Sequence, residues 1–550
     1  MIYDIQGNSY NSVYLLNGSQ SSSAYDIDGN NLLSNVPGDD LGEPISFDDM
    51  QRVPQTTFTV DESQNTQVYM GGYIEIQPDS WDGFTPVTGD IVQPSDPTAW
   101  GFPMNLSGDS KSRIKAEMLN GQNGIMYIRL PLGFGYRGYR NFDQTTGLAK
   151  NIGQRWEGQN SSLRDFFSDI SEAGGGLAPE YWCPAPYWLT GGAYYNSDVD
   201  NYLTAGGNYP RTTTLDSIRS SDPTQYANQI DAFTDAVIND LEYLHQNIAP
   251  VRMFGLQGEP TGAKAKYGKM GYNSAQLYND VLETLWPKVL ASSILSTWGG
   301  ESNTVLLHVA SSNETPPFDG IASTFIENHA DWIWGYSFDA YVSRINASAV
   351  ATGAVFYSEE IYSDSVKGGR DNVFNNEYEY FSDAVVDDKR LPNNMLRISM
   401  EMQKGGAKVV LPIIHLCKPA GQDSYDTNTR GYCIFSVDMD DGSITENVWA
   451  YRSWRMFNNN LPVGSQLLYA VSSGYNGLVI AKVNNKLRIF MCCAYRNEKA
   501  GEFVLTFSSS KRFKGKAYSM DYNGRAVAEK SGTTISFKCP GNGGIVWFEQ

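Results

Sequence analysis

Two glutamates stand where apolar, strand-like runs end. Glu259 closes Gly255-Leu256-Gln257-Gly258-Glu259-Pro260, and Glu377 follows 118 positions later in Asn375-Asn376-Glu377-Tyr378. Two carboxyl groups held at the strand ends of one barrel suit cleavage of a glycosidic bond. One donates a proton to the leaving oxygen while the other carries negative charge to the sugar ring. The donor, Glu259, needs a pKa raised by burial or by the other carboxylate; Glu377 must stay ionised, which a nearby Arg129 would ensure. Each residue also has a plainer reading. Glu259 can simply start a helix before Pro260, and Arg129 can be half of a structural ion pair. Glu360, in Tyr357-Ser358-Glu359-Glu360, and Glu379 are alternatives to Glu377. Glu377 is preferred because 372–376 is extended in character and precedes a helix toward Leu396.

Eight apolar runs supply strands to position these groups: Tyr69 to Gln77, Ile125 to Leu130, Leu177 to Cys183, Arg252 to Gln257, Val305 to Ala310, Trp332 to Phe338, Asn372 to Glu377 and Val409 to His415. Helices fall between several of them. In Tyr226 to His245, Ile230, Phe233, Val237, Ile238, Leu241 and Leu244 recur at helical spacing after the start signal Asp222-Pro223. Met395 to Gln403 also reads as helical. Alternating strands and helices predict an α/β fold, a (β/α)8 TIM barrel over residues 53–452 with function at the C-terminal strand ends. Glu259 then ends strand four and Glu377 ends strand seven. Past residue 452 strands come quickly: Gly477 to Val483, a turn at Asn484-Asn485, Leu487 to Tyr495, Phe503 to Phe507, a pair around Asp521 to Gly524, and Ile545 to Phe548. That spacing predicts an antiparallel β-sandwich over 453–550. Residues 1–52 are rich in Ser, Asn, Asp and Gly. They repeat Tyr-Asp-Ile-x-Gly-Asn at 3–8 and 25–30, which reads as hairpin turns in an attachment arm with an assembly partner.

The motifs in this order resemble glycoside hydrolase family 30. Gln257-Gly258-Glu259-Pro260 is similar to the family's Gln-Asn-Glu-Pro acid/base motif, and Asn376-Glu377-Tyr378 to its nucleophile motif. Tyr127-Ile128-Arg129-Leu130-Pro131-Leu132-Gly133 resembles the strand-two segment whose arginine holds the nucleophile. Cys183-Pro184-Ala185-Pro186-Tyr187-Trp188-Leu189 resembles the strand-three Ser-Pro-Pro-x-Trp-Met segment. The likeness spans roughly residues 55 to 550. It implies a retaining mechanism with Glu259 as acid/base, Glu377 as nucleophile and Arg129 as its orienting cation, and substrate contacts from Trp182, Tyr187, Trp188, Gln257, Tyr341 and Tyr378. It also implies no metal and no cofactor. Three departures stand out. Gly258 replaces an Asn that contacts the sugar 2-hydroxyl, Asp339-Ala340-Tyr341 replaces His-x-Tyr on strand six, and Ile413-Ile414-His415 lacks the strand-eight aromatic.

Composition narrows the partners. A formal charge of −20 repels nucleic-acid phosphates and anionic membrane surfaces, and no run of residues approaches transmembrane length. The 34 Tyr and 12 Trp supply ring platforms of the kind that stack on sugars, although most rings must serve packing. Six cysteines without metal spacing read mainly as buried thiols, and four scattered histidines offer no zinc site. Asp26-x-Asp28 and Asp438-Met439-Asp440-Asp441-Gly442 hint at calcium, but their spacing favours turns. Met1-Ile2-Tyr3-Asp4 does not open a signal peptide, so an extracellular or virion-borne protein would travel by another route. The expected function is a retaining glycoside hydrolase acting on a polysaccharide or oligosaccharide, as a phage-borne or secreted depolymerase. The alternative is a non-catalytic, carbohydrate-binding receptor protein on a degenerate glycosidase barrel.

Overall fold

The computed structural model describes Ile2–Tyr3, Ser9–Tyr10 and residues 55–76, 81, 106–119, 125–133, 161–183, 218–258, 260, 272, 274–298, 301–302, 305–313, 321–341, 373–379, 409–410, 413–419, 433–438, 440–446, 451, 460–472, 477–492, 501–507, 514–519, 525–529, 534–539 and 544–549. For some strand residues in these ranges only the backbone is described.

Eight parallel strands form most of the first sheet: Gly72–Glu75, Ile125–Gly133, Gly176–Cys183, Met253–Gln257, Leu306–Asn313, Gly335–Tyr341, Val373–Glu379 and Ile413–Pro419, numbered one to eight below. They neighbour one another in sequence order from one to seven. Strand eight then pairs with strand one through Ile413↔Tyr73, Ile414↔Ile74 and His415↔Glu75. Among the described residues the ladder breaks between strands seven and eight, whose Cα atoms nonetheless approach within 8 Å. Helices Gly108–Leu119, Ser161–Glu172, Pro223–Asn247, Ala275–Ala291 and Ser323–His329 fill the first five connections. The expected helix at Met395 to Gln403 lies outside the described residues.

The longest helix shows why these elements form where they do. Asp222 accepts the Gln225 amide at 2.9 Å, and Pro223, which has no N–H to satisfy, takes the first helical position. Ile230, Phe233, Val237, Leu241 and Leu244 are all buried in the hydrophobic core. Each such side chain contributes about 1.5–3 kcal/mol by leaving water. Helix Ala275–Ala291 starts in the same way, with Ser274 Oγ accepting the Leu277 amide. Lys288 Nζ ties the two helices together, lying 2.6 Å from both Asp231 and Asp235.

The second sheet is also ten-stranded and mostly antiparallel. Its strands Gly477–Val483 and Lys486–Cys492 meet at Asn484-Asn485, both at positive φ as the tight hairpin requires. Gln55–Tyr69 enters the middle of this sheet. It runs antiparallel to Gln466–Ser472 and parallel to Gly501–Phe507, although it falls within the 53–452 portion of the chain. The sequence predicts a strand eight from Val409 to His415. Instead Val409–Val410 pairs with Val68–Tyr69, and the parallel sheet takes Ile413–Pro419. A single β-branched run thus serves two sheets. Gly71, at φ 114, turns the chain from the second sheet into strand one.

Strand pairing bears on two turns expected from composition. Ile2–Tyr3 pairs antiparallel with Ser9–Tyr10 around the first Gly-Asn repeat, while the second repeat lies outside the described residues. At 438–443 the Asp438 and Asp441 carboxylates accept the amides of Asp440 and Ser443, and Gly442 adopts φ 72. Those carboxylates thereby build the hairpin between Cys433–Val437 and Ile444–Glu446. Cys417 and Cys433 are both buried. No described helix is long and apolar enough to cross a membrane.

Candidate active site

Arg129 sits at the centre of the parallel sheet and is fully buried. Its Nη1 lies 2.6 Å from Glu75 Oε2 on strand one. Its Nε donates to Glu180 Oε2 on strand three at 2.7 Å, and Nη2 lies 2.6 Å from the same oxygen. Burying three ions is tolerable only because each is paired at contact distance. Arg129 is therefore part of a structural ion-pair network. Whether it also touches Glu377 falls outside the described residues, as does the side chain of Glu377.

Strand four passes beside this network. A Cβ on Gly258 would stand 2.9 Å from Arg129 Nη2 and 3.1 Å from Glu180 Oε2. An Asn there would have to displace the Arg129–Glu180 ion pair. A Cβ on Gly255 would stand 2.2 Å from His308 Cε1. His308, on strand five, is buried and places Nδ1 2.9 Å from Ser337 Oγ on strand six. Burial pushes its pKa down to about 4; Glu180 opposes this and Arg129 adds to it. The imidazole is therefore neutral at ordinary pH. Gln257 is also buried, at the end of strand four. Glu75, Glu180, His308 and Ser337 carry no motif that marks them in the sequence. The signal available was the Gly255-x-x-Gly258 spacing, which marks close approach of other groups to the strand.

The two candidate carboxylates relate through the register. Gly255 pairs with His308, and His308 with Gly335. On strand six, Asp339 lies four residues beyond Gly335 and is the register partner of Glu377. Along the chain Glu259 lies four residues beyond Gly255. Glu259 itself lies outside the described residues, but Gly258 and Pro260 on either side of it are both buried, and Pro260 O accepts the Tyr272 amide at 2.6 Å. Trp182, Tyr341, Tyr378 and Glu379 belong to strands three, six and seven, with their side chains outside the described residues; Tyr341 is the register partner of Glu379. Tyr187, Trp188 and Glu360 lie outside them altogether. Among the described residues no group of three or more His, Cys, Asp or Glu is placed to hold a metal.

The architecture is a divergent form of the glycoside hydrolase family 30 fold. Over 90% of this chain and 93% of its own, SrfJ from Salmonella typhimurium superposes with a TM-score of 0.59 at 13% identity. The catalytic domain of family 30 xylanase C from Talaromyces cellulolyticus gives 0.53 at 11% identity, over 90% of this chain and all of that one. The endo-β1,6-glucanase BT3312 gives 0.55 at 11% identity, over 91% and 95%. Identities this low establish a glycosidase-like fold and not an activity. No family model and no curated protein sequence matches the chain.

Proposed function

We propose that this protein is a retaining glycoside hydrolase acting on a polysaccharide or oligosaccharide. In this reading the eight parallel strands close into a (β/α)8 barrel over most of 53–452. The second sheet is a β-sandwich carrying 453–550 together with the strand at 55–69, and residues 1–52 form an attachment arm. The observation that carries the reading is the register. On a fold shared with glycoside hydrolases, Gly255, His308 and Gly335 share one register line; Asp339, the partner of Glu377, lies four residues beyond Gly335 on strand six, and Glu259 follows Gly255 by four residues in the sequence. Function on this architecture gathers at those strand ends.

Glu259 protonates the leaving oxygen and Glu377 attacks the anomeric carbon, forming a covalent glycosyl intermediate. Water, deprotonated by Glu259, then hydrolyses it with net retention. Arg129 supplies positive charge near the nucleophile. Trp182, Tyr187, Trp188, Gln257, Tyr341 and Tyr378 contact the sugar, and no metal or cofactor takes part. The acidic surface suits a neutral or cationic glycan outside the cell or on a virion, where the protein would act as a depolymerase.

Incubating the wild type, Glu259→Gln and Glu377→Gln with a panel of bacterial and plant polysaccharides tests this. The wild type should release reducing ends with retained anomeric configuration, and each variant should lose at least about 10²–10⁴-fold of that activity. Binding without cleavage, unchanged by either substitution, would replace the enzyme with a non-catalytic carbohydrate-binding protein. One observation favours that second reading: the Arg129 guanidinium is already engaged by two buried carboxylates.

A further inference from the structure

We propose that Glu180 is a positioning residue which, through Arg129, fixes the 257–260 segment that carries Glu259. The proposal rests on the glycosidase reading for its catalytic meaning, but its geometry stands without it. The two carboxylates on Arg129 are not equivalent. Glu75 engages Nη1. Glu180 engages Nε and Nη2 through a single oxygen, Oε2. Nη2 and Oε2 are the two atoms that a Cβ at 258 would meet first.

The Arg129–Glu180 contact therefore lies directly beside the backbone at Gly258, where a side chain would otherwise stand. Two residues further on, Pro260 O accepts the Tyr272 amide, so the segment is held from both ends. Its strand-side support is an ion pair reaching across from strands two and three, 51 residues apart in sequence. A carboxylate whose pairing sets the backbone beside a proton donor also sets that donor's reach, and misplacement of such a group is costly in rate. Glu180→Gln keeps the shape and leaves Arg129 paired to Glu75, so the variant can fold.

The test uses the full chain and needs no substrate. In Glu180→Gln, hydrogen exchange at the Tyr272 amide and in the peptide ending at Gly258 should rise at least about tenfold, with helices Pro223–Asn247 and Ala275–Ala291 unchanged. Exchange that stays the same, or rises equally everywhere, overturns the proposal. A thermal-denaturation cycle gives a second reading: Gly258→Ala should cost less in a Glu180→Ala background than in the wild type, and additive effects would overturn it. With a polysaccharide that the wild type cleaves, Glu180→Gln should lower kcat and shift the alkaline limb of the pH profile while KM stays within about twofold. An unmoved kcat and profile reduce Glu180 to a structural role. If the wild type cleaves no polysaccharide, the glycosidase reading fails, while exchange and the denaturation cycle still decide whether Glu180 positions the segment.

Discussion

The ring of His308 occupies the space that a side chain at Gly255 would need, with Cε1 2.2 Å from the position of a Cβ there. His308 and Gly255 are also register partners on strands five and four. The glycine is thus demanded by a neighbouring strand rather than by its own backbone angles. Gly255→Ala should destabilise the protein by about 3 kcal/mol through overpacking. Chemical denaturation would show this, and the loss should shrink when His308 is also replaced by Ala. A cost that persists in the double variant would mean that another neighbour sets the limit.

His308 also predicts a pH dependence. Its folded pKa is depressed to about 4, first by burial, from an ordinary value of 6.5. Between those values the unfolded chain binds the proton and the folded chain does not. This contribution to stability is therefore fully present above pH about 6.5 and is lost as the pH falls toward 4. The full effect is about 3 kcal/mol. Denaturation midpoints across this window should fall more steeply for the wild type than for His308→Ala, and parallel slopes would refute the assignment.

The start of helix Pro223–Asn247 gives a smaller effect. The Asp222 carboxylate accepts the Gln225 amide at 2.9 Å in an exposed setting. Asp222→Ala should cost about 1 kcal/mol, while Asp222→Asn should retain most of the stability because it keeps an acceptor oxygen. A thermal melt of the three proteins checks both. Equal losses for Ala and Asn would point to charge at the helix N-terminus as the cause rather than the cap bond.

The strand positions and this helix start were legible because they are local signals. Apolar runs such as Val305 to Ala310 and the Asp222-Pro223 pair announce themselves within a few residues, and Asn484-Asn485 marks its hairpin equally well. The ion-pair network was not legible. Glu75 and Glu180 each interrupt an apolar run, and nothing nearby in the chain reveals a partner; Arg129 lies 54 and 51 residues away. The same holds for Gln55–Tyr69, whose alternating residues suit a strand in either sheet. Its place beside Gln466–Ser472 follows from pairing across some 400 residues. Gly258 was legible as a departure from the family motif but not as a consequence, since its cause stands on strands two and three.

Arg129 separates the structural from the catalytic part of this network. Arg129→Met leaves Glu75 and Glu180 buried without a cation and should cost about 3–5 kcal/mol, enough to threaten folding. Arg129→Lys is the more informative change. It keeps one positive charge but has a single nitrogen where the guanidinium presents Nη1 to Glu75 and Nε with Nη2 to Glu180. A lysine must therefore abandon one carboxylate or contact both poorly. The expected outcome is a folded, less stable protein whose melting curve recovers partly when Glu75 is replaced by Gln, because that substitution removes the acid left without a partner. If Arg129 also orients the nucleophile, kcat in the same variant should fall further than the stability loss accounts for, and Glu75→Gln should restore stability without restoring kcat. Recovery of both together would make the arginine purely structural.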